Sequence, residues 1–306
     1  LDPNSLNYIE KVIGNSKQTV ATDGTESYIQ YSGEYNNASR YVRVKEVLTP
    51  TLNYVDNAGA AKSEFTSSIP VAGTPFVGRV ANFYGDINTT DTQGLTGADY
   101  TTSVNLLKNQ DLYQYNLIVA PGLTRDMTAG VTVLTSLVDN AQTRGDNLAI
   151  IDLKDYGANI IPVTTAADAV DSSYAAAYWP WLQTIDPDLG SRVWVPASTM
   201  MPGVFAFNDR AGETWFAPAG LSRGGLTTVI RAERALTNGN RNTLYESNVN
   251  PIATFPNTGV VVFGQKTLQK RASALDRVNV RRLLISLKNF ISQIADNLVF
   301  EQNTIA

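Results

Sequence analysis

The sequence predicts a mixed α/β fold that combines a mixed-sheet core, a β-rich additional domain and a long C-terminal amphipathic helix. Between residues 99 and 240, short apolar runs that stop at glycine or proline alternate with helical patterns, which is typical of chains that build βαβ units. Residues 1–98 instead alternate with a period of two and are rich in turn residues. A length of 306 residues fits about two domains, which we place at residues 1–98 and 99–306.

The first predicted domain rests on two alternating segments. Residues 28–31 and 41–47 alternate between apolar and polar side chains, the pattern of half-buried strands. Turn-forming residues lie between them. The polar stretch 86–99 carries Gly94 and Gly97 and therefore predicts a loop or boundary.

The second predicted domain begins with a βαβ unit. Residues 116–120 form an apolar run stopped by Pro121 and Gly122, as a buried strand is. A helical pattern follows over residues 126–144, and Gly145 is placed to end it. The next apolar run, residues 148–153, predicts the second strand, with a right-handed crossover between the two.

Three further elements complete the predicted core. Residues 165–178 are predicted to form a helix that ends before Pro180, and residues 259–264 are predicted to form a strand. The long helix is predicted over residues 276–298, because apolar residues recur there at helical spacing and form one stripe. The members of that stripe are Val280, Leu283, Leu284, Leu287, Phe290, Ile291, Ile294 and Leu298.

Composition restricts the available chemistry. The chain has no histidine and no cysteine, so it cannot by itself build a Ser-His-Asp triad, a histidine or thiolate metal site, or a thiol nucleophile. Lys plus Arg total 24 and Asp plus Glu total 28, a balance without the overall basic charge typical of nucleic-acid binding. The longest apolar runs are far shorter than the roughly 20 residues that span a bilayer. We therefore expect no cofactor, no metal, no nucleic acid and no membrane insertion.

Carboxylates leave one enzymatic alternative open. Asp152 and Asp155 follow a predicted strand, and a pair of acids is what glycoside hydrolysis needs. Trp179, Trp181, Trp194 and Trp215 would be available to stack on sugars, in a hydrolase or in a glycan-binding module. Acids and tryptophans at strand ends and proline-flanked turns more often cap and pack, so we favour a protein that is not an enzyme.

Several segments resemble the contractile tail sheath proteins of tailed bacteriophages and related injection machines. Each segment is weakly specific, but their number and order extend over nearly the whole chain. They are residues 2–9 (DPNSLNYI), 115–123 (YNLIVAPGL), 174–181 (YAAAYWPW), 215–220 (WFAPAG), 250–268 and 277–283 (RVNVRRL).

The resemblance implies a structural subunit that stacks with other sheath subunits around an inner tail tube and contracts to drive that tube through the host envelope. Baseplate and tail terminator proteins are further implied partners, with the virion, and the host cytoplasm during assembly, as the location. Relative to the family, the chain looks like a trimmed core that lacks N- and C-terminal portions. The long helix resembles the family element nearest the tube. Its cationic residues Arg277, Arg281, Arg282 and Lys288 are therefore predicted to face the tube or a neighbouring subunit.

Overall fold

The computed structural model describes residues 6–23, 26–45, 47, 96–187, 190 and 192–300. Contacts between residues divide the chain into two units, of which the first includes the described residues up to 47 and the second includes residues 96–300. The boundary that the sequence predicts at residue 98 borders residues outside the described part, and it stays a prediction.

The first unit contains a short helix and a β-hairpin. Helix α1 (Ile9–Ile13) precedes strands β1 (Lys17–Asp23) and β2 (Glu26–Ser32). The two strands pair antiparallel with Val20 opposite Ile29. Strand β2 contains the strand predicted at residues 28–31, which is confirmed.

The prediction of a strand at residues 41–47 was wrong for the residues of this segment that the structure describes. Residues 41–45 lie outside any strand, and Tyr41 and Val42 are 94% and 58% exposed. The amide of Val44 donates to the carbonyl of Gly14 at 2.8 Å. Alternation alone does not make a strand, because a strand also needs a neighbour that takes up its backbone groups along its length.

The second unit is built on a five-stranded sheet with the order β10-β9-β5-β4-β3, and a smaller sheet has the order β7-β6-β8. In the large sheet, β3, β4, β5 and β9 run parallel, and β10 is antiparallel to β9. The strands are β3 (Leu117–Thr124), β4 (Leu148–Asp152), β5 (Ala175–Trp179), β6 (Leu182–Ile185), β7 (Arg192–Val195), β8 (Val229–Ala232), β9 (Asn250–Phe255) and β10 (Gly259–Val262).

Helices cover both faces of the large sheet. They are α2 (Gly97–Leu106), α3 (Thr128–Arg144), α4 (Ile160–Asp168), α5 (Ala197–Ala211), α6 (Asn238–Glu246) and α7 (Val278–Asp296). Successive side chains of β4 enter opposite layers: Ala149 and Ile151 join the core under α3 and α4, while Leu148 and Ile150 join the core under α5 and the start of α7. Because both faces of the sheet are buried, its strands appear in the sequence as continuous apolar runs.

Most of the predicted core elements are confirmed. Helix α3 lies within the predicted range 126–144 and ends at Gly145, whose φ of 70° is left-handed. The strands predicted at 148–153 and 259–264 appear as β4 and β10. The long helix α7 lies within the predicted range 276–298. The mixed α/β class itself is confirmed.

Two details of the predicted core were wrong. The helix predicted at 165–178 ends at Asp168, and the residues Ala175–Trp179 form the central strand β5. Alanine favours helices, but at a fully buried position between two helix layers its small side chain also suits a strand, and tertiary packing decides. Strand β3 does not stop at Pro121: its register with β4 shifts between Val119 and Thr124 and then resumes.

Candidate functional site

The start of helix α7 is fixed to the core by backbone hydrogen bonds. The amide of Val278 donates to the carbonyl of Gln265 at 2.8 Å, and the amide of Thr267 donates to the carbonyl of Asp276 at 2.9 Å. Lys266 and Arg277 form an isolated antiparallel bridge. The segment after β10 therefore sets the direction in which α7 leaves the sheet.

Arg277 occupies the N-cap position of α7 and remains partly accessible. It is the residue before the first helical turn of α7, and its side chain is 38% exposed. Its guanidinium donates to the hydroxyl of Tyr245 and lies 3.2 Å from a carboxylate oxygen of Asp276. This partial exposure leaves charge at the surface for a partner.

Arg281 is buried, and no carboxylate among the described residues pairs with it. It is 6% exposed, its guanidinium carbon lies 3.9 Å from the ring centre of Tyr174, and one terminal nitrogen donates to the hydroxyl of Ser173. Its Nε–H finds no hydrogen-bond partner among the described residues. Burial lowers the pKa of the Arg281 guanidinium, while Tyr174 acts in the opposite direction.

Arg282 is buried as well, and it is held by an ion pair. It is 4% exposed and donates to both carboxylate oxygens of Asp209 at 2.7 and 2.5 Å. Its guanidinium also lies 4.8 Å from the ring centre of Phe205. Both partners belong to α5, so Arg282 joins α7 to α5. This bidentate geometry is available to arginine and not to lysine.

Lys288 lies further along α7 and is exposed. Its ammonium donates to the carbonyl of Arg144, in the last turn of α3. A cation at the end of a helix satisfies a free carbonyl and interacts favourably with the helix dipole. Lys288 therefore connects α7 to the end of α3, and its charge remains near solvent.

The structure thus separates the four predicted contact residues. Arg277 and Lys288 present charge at the surface, whereas Arg281 and Arg282 are packed inside the chain. Arg281 packs on the ring of Tyr174, and Arg282 pairs with Asp209. Whether any of the four contacts a tube or another subunit stays a prediction.

The opposite face of α7 carries the apolar stripe, and that face is exposed. Val278, Arg282 and Ile285 are buried. The stripe residues Leu287, Ile291 and Ile294 follow them by nine residues each. Nine residues are about two and a half helical turns, so each stripe residue points away from its buried counterpart. The large exposed side chains are Leu284 (42%), Leu287 (44%), Phe290 (61%), Ile291 (62%), Ile294 (48%) and Leu298 (64%).

The carboxylates proposed for the enzymatic alternative have structural roles. Asp152 is 4% exposed, and its oxygens accept from the amide of Ser198 at 3.1 Å and from the Ser198 hydroxyl at 2.5 Å, which caps the start of α5. Burial raises the pKa of Asp152 to about 6. Asp155 accepts from the hydroxyl of Thr124, and its backbone amide donates to a carboxylate oxygen of Asp126 at 3.0 Å.

The tryptophans are mostly engaged in packing too. Trp179 is 3% exposed, and the indole N–H of Trp181 donates to the carbonyl of Lys154 at 2.9 Å. Trp194 contacts Tyr156, with 5.1 Å between ring centres. Trp215 is 41% exposed. Among the described residues there is no group of three acidic side chains placed to hold a metal ion, and no helix long and apolar enough to cross a membrane.

Sequence reasoning identified α7 but missed the residues that position it. Tyr174 was assigned to a helix, and neither Asp209 nor Phe205 carried any signal. Asp209 lies 73 residues from Arg282, and Ser173 lies 108 residues from Arg281. No local pattern links residues at such separations.

Comparison with known proteins shows which family this architecture belongs to. The family description that matches residues 93–268 is that of the phage tail sheath protein central domain. The tail sheath protein of Vibrio phage KVP40 is 30% identical over 194 residues, covering 62% of this chain and 28% of that protein. The tail sheath protein of Enterobacteria phage T4 is 26% identical over 227 residues, covering 68% of this chain and 34% of that protein. The chain thus spans about a third of the curated relatives that it matches.

Solved structures with the same fold come from contractile assemblies. The sheath complex of an extracellular contractile injection system, PVC, in its contracted state has a TM-score of 0.55 and 26% identity, covering 67% of this chain and 53% of that chain. The contracted helical sheath of the anti-feeding prophage has a TM-score of 0.54 and 24% identity, covering 69% of this chain and 55% of that chain.

Proposed function

The chain belongs to the phage tail sheath protein family, and from that premise we propose that it is a structural subunit of a contractile tail sheath. The observation that carries the proposal is the match to the family's central domain over residues 93–268. That range includes all five strands of the large sheet with α2 to α6. The proposed work is mechanical, without making or breaking covalent bonds.

The internal architecture supports such a role. Contraction requires two arrangements of subunits, with rigid bodies moving between them. The second unit has a sheet buried on both faces and a terminal helix fixed by Arg282 and Asp209. Close-packed interiors transmit force instead of deforming continuously. The energy that drives contraction would then reside in contacts between subunits.

The proposed partners are other sheath subunits, the tail tube protein, and the baseplate and tail terminator proteins. Helix α7 is proposed to lie on the side of the subunit nearest the tube. Of its four cations, Arg277 and Lys288 supply accessible charge, and exposed charge guides docking and register more than it adds affinity. Arg281 and Arg282 would act indirectly, by fixing how α7 lies on the core.

Electron microscopy with and without tube protein tests this function. We expect the complete natural protein that contains these residues to form regular sheaths on tubes of its own tail tube protein. Reversing the charges of Arg277 and Lys288 together should shorten or reduce these sheaths. The matched control reverses Lys108 and Arg271, which are also exposed but lie outside α7. Absence of any ordered assembly would contradict the proposed function, whereas equal sheaths from both variants would contradict the tube-facing role alone.

A further inference from the structure

Helix α7 packs on its own chain through its mixed face and leaves its most apolar face exposed. Ordinary amphipathic helices bury the apolar stripe and expose the charged face. Here Arg281, Arg282 and Ile285 are buried, while the six large side chains named above are between 42% and 64% exposed. The exposed apolar area of these six is on the order of 600 Å², at the upper end of what monomeric proteins expose.

The spacing of the stripe identifies the kind of surface that fits it. From Val280 the apolar positions continue at alternating steps of four and three, through Leu284, Leu287, Ile291, Ile294 and Leu298. This is the a and d pattern of a heptad repeat, in which side chains of one helix insert between those of another. A seam of this kind fits against the apolar face of another helix.

We propose that the apolar stripe of α7 is a self-association surface, which packs against the α7 stripe of a second copy of this chain. A copy supplies a matching repeat by construction. The area of each stripe approaches the roughly 800 Å² per partner of a standard interface, and neighbouring side chains enlarge it: Leu283 flanks the seam, and Val299 and Phe300 beyond its end are 56% and 102% exposed.

The charges around the stripe permit this pairing. The positions that flank the seam are Leu283, Phe290 and Asn297 on one side and Lys288 and Ala295 on the other. Arg281, which flanks the start of the seam next to Val280, is buried, so Lys288, which donates to the carbonyl of Arg144, is the one exposed charged residue beside the seam. Like charges therefore do not accumulate between two copies. A lipid surface is a poorer occupant, because interfacial helices carry exposed cations along their polar face, and here Arg281 and Arg282 are buried.

Sedimentation of the 306-residue chain without any tube protein tests the proposal. We expect a concentration-dependent dimer with a dissociation constant in the micromolar range, where weak interfaces of this area lie. The double substitution Leu287→Lys and Ile291→Lys should make the chain monomeric up to about 100 µM and weaken association at least tenfold. The matched control, Ser292→Lys with Gln293→Lys, adds the same charges at exposed positions of the same helix, and it should leave the dimer intact.

Hydrogen exchange provides the second measurement. In wild type, amides of residues 284–298 should exchange more slowly as protein concentration rises, and this protection should vanish in the stripe variant. Circular dichroism should show equal helix content in the three proteins, because the substituted side chains are exposed. A wild-type chain that stays monomeric up to about 100 µM, or a dimer that both double variants retain equally, would overturn the proposal. Since no sheath is involved, these outcomes are independent of the proposed function.

Discussion

Removal of the Arg282 guanidinium should loosen helix α7 more than any other single change on that helix. In Arg282→Met the apolar stem remains, but both hydrogen bonds to Asp209, at 2.7 and 2.5 Å, are lost, as is the contact with Phe205. Breaking a buried ion pair costs about 3–5 kcal/mol. The side chain of Asp209 is 25% exposed and recovers part of its hydration, so we expect the free energy of unfolding to fall by about 2–4 kcal/mol.

Urea unfolding followed by circular dichroism measures this loss, and a double-mutant cycle separates its causes. The Asp209→Asn variant should lose less, and the double variant should lose less than the sum of the two single changes, because the pair is already broken. Arg282→Lys should recover only part of the stability, since an ammonium does not donate in a bidentate way to a carboxylate. A loss below about 1 kcal/mol for Arg282→Met, or strictly additive single effects, would refute the claim that this pair seats α7.

Three other changes test the core. Burial raises the pKa of Asp152 to about 6, above about 3.9 in the unfolded chain, so folding favours the protonated carboxyl. Relative to Asp152→Asn, the wild type should lose about 2 kcal/mol of unfolding free energy as pH rises from 4 to 7, and urea midpoints that shift equally in both proteins would contradict this. Asn250→Leu should lower the free energy of unfolding by about 3 kcal/mol or more, because the buried side-chain amide of Asn250 donates to the carbonyls of Ala177 and Lys266 and accepts from the amide of Lys266. A thermal midpoint that does not fall would argue against it. Gly130→Ala should cost about 2–3 kcal/mol, since the new methyl carbon would lie 2.0 Å from a backbone oxygen, and an unchanged urea midpoint would count against that clash.

Elements that follow from local physics were predictable from the sequence. Helix α3 combines a sustained apolar periodicity with Gly145, which takes a left-handed conformation at its end. Strand β4 is a run of five buried residues, as expected for a strand covered on both faces. The approximate ends of α7 were predicted from the length of its apolar stripe. In each case the decisive residues lie within one turn or one strand of each other.

Elements that depend on distant partners were not predictable. The stripe of α7 marked an apolar face correctly, but its orientation depends on Asp209 and Tyr174, which local patterns do not connect with α7. The segment Ala175–Trp179 has helical composition and becomes a strand because β4 and β9 pair with its two edges. The sequence placed the four cations on α7, and the fold was needed to show that Arg281 and Arg282 are buried inside the chain.

The most direct test of the account is cryo-electron microscopy of the complete natural protein assembled on its tube, before and after contraction. We predict a helical lattice in both states, in which residues 96–300 keep one internal structure, including the contact between Arg282 and Asp209, while contacts between subunits change. A central domain that refolds between the two states, or a protein that forms no lattice on its tube, would contradict the claim that this chain works by repacking rigid subunits.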